Sequence, residues 1–224
     1  IEALDTMHIQ IGIPIRPAAA ERLPNAQAII EKIGDCVAQP KLDGFRLQIH
    51  LDTTQEGESK IYFFSRNLLD MSYMFPDLVK ALRSLPVKQV IFEGEAIVFD
   101  PNTGNFLPFQ ETVKRKRKHG IEEAISEFPL KLFLFDLLYL DGKEYLSVGH
   151  EKRRKALVDL FAHAQEDTIG VVEERHVHTA QELEAYFFEN INAGLEGLVV
   201  KKPNSIYEPG KRNFNWIKLK RHEE

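Results

Sequence analysis

The chain has 224 residues, 43% hydrophobic and 28% charged, with 29 basic against 34 acidic side chains and a formal net charge of −5. This composition excludes a disordered chain, a collagen-like chain and a coiled coil. No apolar run reaches the ~18 residues of a membrane-spanning helix, and the single cysteine, Cys36, excludes an internal disulfide and a cysteine-based zinc site.

In chain order, residues 12–24 carry Gly12, Pro14, Pro17 and Pro24 and read as an extended leading segment. Residues 46–51 alternate polar and apolar, the period of a half-buried strand. A polar turn at 53–58 returns the chain into a second strand at 61–64, a hairpin. A helix is expected over 71–85 with Pro76 in its first turn, then a strand over 90–99 that stops at the turn-forming run Asp100 to Gly104. Residues 110–128 read as a helix carrying the basic block Lys114, Arg115, Lys116, Arg117, Lys118 and His119. A strand over 130–139 ends at Asp141-Gly142, helices follow at 150–164 and 180–191, and Thr179 with Glu182 forms a capping box for the second. Strands at 198–201 and 215–220 close the chain, the last with Lys218 and Lys220 on one face and Ile217 and Leu219 on the other. Hairpins mixed with helices, without regular βαβ alternation, give an α+β class with mainly antiparallel sheets.

The chemistry gathers in short segments. Neither common glycine-rich phosphate fingerprint is present. Pro40-Lys41-Leu42-Asp43-Gly44-Phe45-Arg46 places a lysine before a tight turn that feeds a strand. A lysine on a rigid strand end is a candidate nucleophile, provided its surroundings favour the neutral amine. Ser65-Arg66-Asn67 follows the second strand. Glu93 and Glu95, two apart, share one strand face, with Glu93 open to a plain solvent-facing reading. Phe135-Asp136 lies in a strand expected to be buried, Glu196 and Lys201 bracket another, and Trp216-Ile217-Lys218-Leu219-Lys220 pairs two ammonium groups. His176 and His178 have no metal-ligand spacing and read as structural; Cys36 reads as a small buried hydrophobe.

In order and spacing these segments, from about residue 13 to 221, resemble the adenylation domain of ATP-dependent DNA ligases. That group lies within the lysine-nucleotidyltransferase superfamily, which also holds RNA ligases and mRNA capping enzymes. The resemblance implies that Lys41 attacks the α-phosphate of ATP and carries AMP, that Arg46 and Arg66 position phosphate and ribose, and that Gln39, Pro40 and Leu42 flank the nucleotide. It implies that Glu95 holds the ribose hydroxyl or assists a metal, that Phe135 stacks on adenine, and that Glu196 binds Mg²⁺. Lys218 and Lys220 would neutralise the α-phosphate with Lys201 in support, and Trp216 would pack. The basic block 114–118 would face duplex phosphates of nicked double-stranded DNA, its alternative being a solvated helical face. An RNA ligase, a capping-type enzyme, or a non-catalytic nucleic-acid-binding module of the same fold are the other readings.

One departure concerns Gln39, where many such ligases carry Glu to read the adenine amino group; Gln keeps an acceptor. The other is extent. The chain starts at Ile1 and stops soon after the paired lysines. It is expected to be one adenylation domain over 1–224, with 1–20 a segment leading from a DNA-binding domain and an OB-fold domain to follow. A monomer, an intracellular and cytoplasmic location and no membrane contact are expected.

Overall fold

The computed structural model describes residues 9–54, 56–57, 59–116, 119–162 and 167–222. The leading segment passes into β1 (Ala19–Arg22) and then α1 (Ala26–Ile33). Asn25 caps α1 by accepting the Ala28 N–H, and Gly34, at a φ of 67°, closes it. β2 (Cys36–Pro40) runs to Lys41, and the chain then crosses to β3 (Phe45–Asp52), which pairs in a hairpin with β4 (Lys60–Ser65). After a short 3₁₀ turn come α2 (Pro76–Leu82), β5 (Gln89–Val98), α3 (Phe109–Val113), α4 (Ile121–Glu127), β6 (Leu130–Leu140) and β7 (Lys143–Glu144). The remainder is α5 (His150–Phe161), β8 (Ile169–Val171), β9 (Arg175–Val177), α6 (Ala180–Asn192), β10 (Gly197–Lys201) and β11 (Arg212–Lys220).

Two sheets result. One has the order β1-β11-β10-β2-β9, the other β4-β3-β5-β6-β7, with β8 added parallel to β6. Apart from β8 on β6 and β1 on β11, the pairings are antiparallel. The β3–β6 sheet packs α2, α4 and α5 over a core that includes Ile49, Phe63, Leu78, Phe92 and Leu157. The other sheet packs α1 and α6 over Ile29, Ala38, Leu183, Tyr186 and Ile217. A third cluster, with Ile15, Ile91, Leu138, Tyr207 and Trp216, joins the two sheets.

Three elements differ from the sequence reading. The helix expected over 71–85 starts at Pro76, because the residue before a proline is pushed out of the helical region and Pro suits the first helical position. The helix expected over 110–128 is two short helices separated by the basic block, with Gly120 left-handed at a φ of 68°. The alternation in β3 is real, yet its polar side chains are buried as well. The leading segment covers that face. Gln48 accepts the Ile15 N–H and donates to the Ile15 carbonyl, both at 2.8 Å, while His50 Nδ1 accepts the Gly12 N–H at 3.0 Å. Burial lowers the His50 pKa to about 3, so a neutral ring supplies that acceptor at neutral pH.

Candidate active site

The crossing from β2 to β3 carries residues 41–44 from one sheet to the other and lines a cavity of about 530 Å³ between them. Lys41 donates its backbone N–H to Gly197 O in the first sheet at 2.9 Å. Gly44 donates its own to Glu95 Oε1 in the second at 3.1 Å. A side chain at Gly44 would place Cβ 2.1 Å from the Ala96 carbonyl oxygen, so only glycine fits that approach.

Lys41 Nζ lies 2.7 Å from Glu196 Oε2, the ion pair standing at the cavity mouth with side-chain exposures of 22% and 38%. Glu196 leads into β10; desolvation works upward on its pKa, but Lys41, Lys220 and Lys218 bring it below the usual carboxylate range. Lys218 and Lys220, two apart on β11, both face the cavity as their alternation requires. Desolvation, with Arg212, Lys220 and Lys41 nearby, lowers the Lys218 pKa. Asp43 lies in the same electrostatic group: burial, then Glu196, raise its pKa.

Glu95 sits in the cavity wall, where desolvation pushes its pKa to about 7 against the pull of Gly44 N–H, Lys41 and Arg46. Near neutral pH it is poised to donate or accept a hydrogen bond. Phe135 is half-buried and lines the cavity with Trp216, their rings edge to face at 6.2 Å. Gln39, Pro40, Leu42, Arg66 and Lys201 also line it. The structure therefore brings the expected nucleotide set to one place, with Glu196 reaching it through Lys41.

Arg46 is engaged rather than free. Its guanidinium grips Glu93 with two hydrogen bonds at 3.0 and 3.1 Å, donates to the Ala18 carbonyl at 2.6 Å, and stacks over Phe135 and Trp216. Glu93, read from alternation as either solvent-facing or functional, is buried and also accepts the Tyr207 hydroxyl. Sequence reasoning missed Tyr207 because nothing in its local pattern marks it.

The basic block divides. Arg115 is buried, forking onto Asp77 at 2.8 and 3.2 Å and donating to the carbonyls of Met74 and Phe128, so its assignment to DNA is corrected: its charge is spent inside the protein. Lys114 is exposed and pairs with Glu111, and Lys116 is exposed at the cavity edge. Arg117 and Lys118 lie outside the described residues. Cys36 is buried and its thiol is pushed up to about 12, which makes it inert as a nucleophile at neutral pH.

A family model described as the ATP dependent DNA ligase domain matches residues 17–220. The chain belongs to the ATP-dependent DNA ligase family. A probable DNA ligase of Dictyoglomus thermophilum is 46% identical over 222 residues, 99% of this chain and 37% of that protein. The DNA ligase of Sulfolobus acidocaldarius is 40% identical over 225 residues, 99% of this chain and 36% of that protein. The ligase domain thus spans little more than a third of these relatives. Among solved structures, the ligase domain of Mycobacterium tuberculosis LigD superposes with a TM-score of 0.69 at 26% identity, covering 92% of this chain and 60% of that one. A mycobacterial DNA ligase D complexed with ATP and MES gives 0.68 over the same shares.

Within this ligase domain Lys201 is a costly residue to hold. It is fully buried, its Nζ lies 4.2 Å from the Trp216 ring centre and 4.9 Å from that of Phe135, and no hydrogen-bond partner for it occurs among the described residues. Desolvation lowers its pKa to about 8 despite the attraction of Asp136 and Glu174. An unfolded lysine titrates near 10.4. Between about pH 8 and that value the unfolded chain binds more protons, so this residue makes stability rise with pH across the window. Lys201→Met is expected to stabilise the fold at pH 7 by roughly 2–3 kcal/mol and to flatten the alkaline rise, measured by urea denaturation at neutral and alkaline pH. A destabilised variant would contradict it.

Proposed function

We propose that this domain performs the nucleotidyl-transfer chemistry of a DNA ligase acting on nicked double-stranded DNA. The observation that carries the reading is Lys41 at the junction of two sheets, 2.7 Å from Glu196 and facing a cavity shared with Lys218 and Lys220. The Lys41 amine, once its proton has left, attacks the ATP α-phosphorus. A P–N bond forms, the bond from the α-phosphorus to the bridging oxygen breaks, and pyrophosphate departs. Lys218 and Lys220 offset the charge that spreads over the phosphoryl oxygens. Phe135 stacks on the base, Glu95 holds a ribose hydroxyl, and Arg66 reaches phosphate. Arg46 acts from a fixed position, held by Glu93. The 5′-phosphate of the nick then takes AMP from Lys41, and attack by the 3′-hydroxyl seals the strand and releases AMP.

Among the described residues no group of three or more His, Cys, Asp or Glu is placed to hold a metal. Mg²⁺ in such sites is held by one or two carboxylates together with substrate phosphates. Glu196 fits the carboxylate part, with Glu95 second because its high pKa weakens it as a ligand. When bound, Mg²⁺ would add positive charge at the phosphates. Lys114 and Lys116, both exposed, are the described lysines of the basic block that would meet duplex phosphates. Further domains of the same protein would complete the grip on DNA, and the protein would act as a monomer inside the cell, in the cytoplasm. No described helix is long and apolar enough to cross a membrane.

Incubation with ATP and Mg²⁺, with a GTP control, tests the reading by intact mass. The expected result is a gain of one adenylyl group that peptide mapping places on Lys41. An adduct on another residue would overturn the assignment.

A further inference from the structure

Gln39 is buried in β2, two residues before Lys41, and lines the cavity beside Phe135. Its amide nitrogen Nε2 lies 3.0 Å from Glu174 Oε1. That same oxygen faces His150 Nε2 at 2.6 Å, while Arg154 Nε stands 3.8 Å from Glu174 Oε2. Glu174 follows the strand β8 that runs parallel to β6, and His150 opens α5, so elements far apart in the chain meet behind Gln39.

An ionised carboxylate only accepts hydrogen bonds. Desolvation works upward on Glu174, but the hydrogen bond and charge of His150, with Arg154 and Gln39, bring its pKa down to about 2, so it is ionised at any working pH. The Gln39 amide therefore has one allowed orientation. Its NH₂ end points to Glu174, and its oxygen is the end left over. Among the described residues the one side-chain hydrogen bond of Gln39 is that from Nε2 to Glu174. A free glutamine side chain has no such preference, since its two ends differ only by what surrounds them.

We propose that Glu174, seated on His150, is a positioning residue that sets base choice: it locks the Gln39 amide with its oxygen toward the nucleotide, so that a purine bearing a 6-amino group is accepted and one bearing a 6-oxo group is refused. This rests on the nucleotide reading of the cavity given above. With adenine, the exocyclic amine donates to Gln39 Oε1. With guanine, two oxygens face each other, and the lock prevents the amide from turning over to relieve them. The selectivity thus comes from an acidic residue 135 positions downstream that need not touch the nucleotide.

The domain carries its own reporter. Its one tryptophan, Trp216, is in the cavity wall, so intrinsic fluorescence follows nucleotide binding directly. Binding of ATP and of GTP to the 224-residue chain should be titrated for the wild type, for Glu174→Gln, for Gln39→Glu and for the double variant Gln39→Glu/Glu174→Gln. The wild type is expected to prefer ATP. Glu174→Gln lets the two amides turn together, so the ATP-to-GTP affinity ratio is expected to fall about tenfold, the net worth of one hydrogen bond. Gln39→Glu alone sets two carboxylates at hydrogen-bond distance and is expected to weaken ATP binding. The double variant exchanges donor and acceptor, restores the pairing, and is expected to recover the preference for ATP.

A merely structural role for Glu174 would lower the melting temperature and leave the affinity ratio alone. An unchanged ratio in folded Glu174→Gln, or a double variant no more selective than Gln39→Glu, overturns the proposal. Binding of neither nucleotide by the wild type would instead sink the reading of the cavity on which it rests, and the proposal with it.

Discussion

Lys41→Arg is expected to lose adenylyl transfer by more than about a thousandfold, because the covalent step needs an amine that can become neutral at this position. Arginine keeps the charge and can still pair with Glu196, 2.7 Å from the lysine nitrogen in the native protein. What it cannot do is lose its proton near neutral pH, and an attacking nitrogen needs a free lone pair. Lys41 stands at the cavity mouth rather than in a core, and its backbone bond to Gly197 survives the change. The melting temperature should therefore stay near that of the wild type while the mass gain disappears. A labelled adduct that persists in the folded variant would show that another residue carries the nucleotide.

Arg115→Ala has the largest expected effect on stability. Its guanidinium makes four hydrogen bonds that tie α2, the preceding turn and the end of α4 together: two to Asp77 and one each to the Met74 and Phe128 carbonyls. Truncation removes the fork and leaves Asp77, whose side chain is 17% exposed, without its counter-ion. Breaking a buried pair by removing one partner costs about 3–5 kcal/mol. For a chain of this size that corresponds to a fall of roughly 10 °C in melting temperature. Lys116→Ala, at an exposed position, should shift stability by no more than about 0.5 kcal/mol. Thermal unfolding of the two variants separates the roles, and an unchanged melting temperature for Arg115→Ala would return that residue to the DNA-facing set.

Arg115 also shows where the sequence stops being legible. In a run of six basic residues each looks equally solvated, and only the arrival of Asp77, 38 positions upstream, singles one out. β5 and β6 were readable because alternation and turn residues are local signals. So was the cation pair on β11, since a period of two settles its face. α1, just past the segment read as extended, escaped notice because eight residues repeat a helical period only about twice, and β2 because four of its five residues are buried, which removes any alternation. Glu93 misled for a related reason: polarity predicts exposure only where one face of a sheet meets water, and the leading segment covers that face. Glu174, His150 and Tyr207 carry no motif. Their roles arise when strands and helices distant in the chain pack behind the cavity.

That leading segment has a mechanical consequence. From Gly12 to Ala18 it is fastened by its backbone to His50, Gln48, Tyr207 and Arg46. Arg46 in turn grips Glu93 and stacks over the two rings of the cavity wall. Tension applied to the chain ahead of residue 12 would peel these bonds one after another, and the last to give way is the one from the Arg46 guanidinium, which lies over Phe135 and Trp216, to the Ala18 carbonyl. What looks on paper like a tether is a pull-cord on the cavity wall, and a cut made in residues 15–18 is expected to loosen Arg46 in that wall before it unfolds the protein.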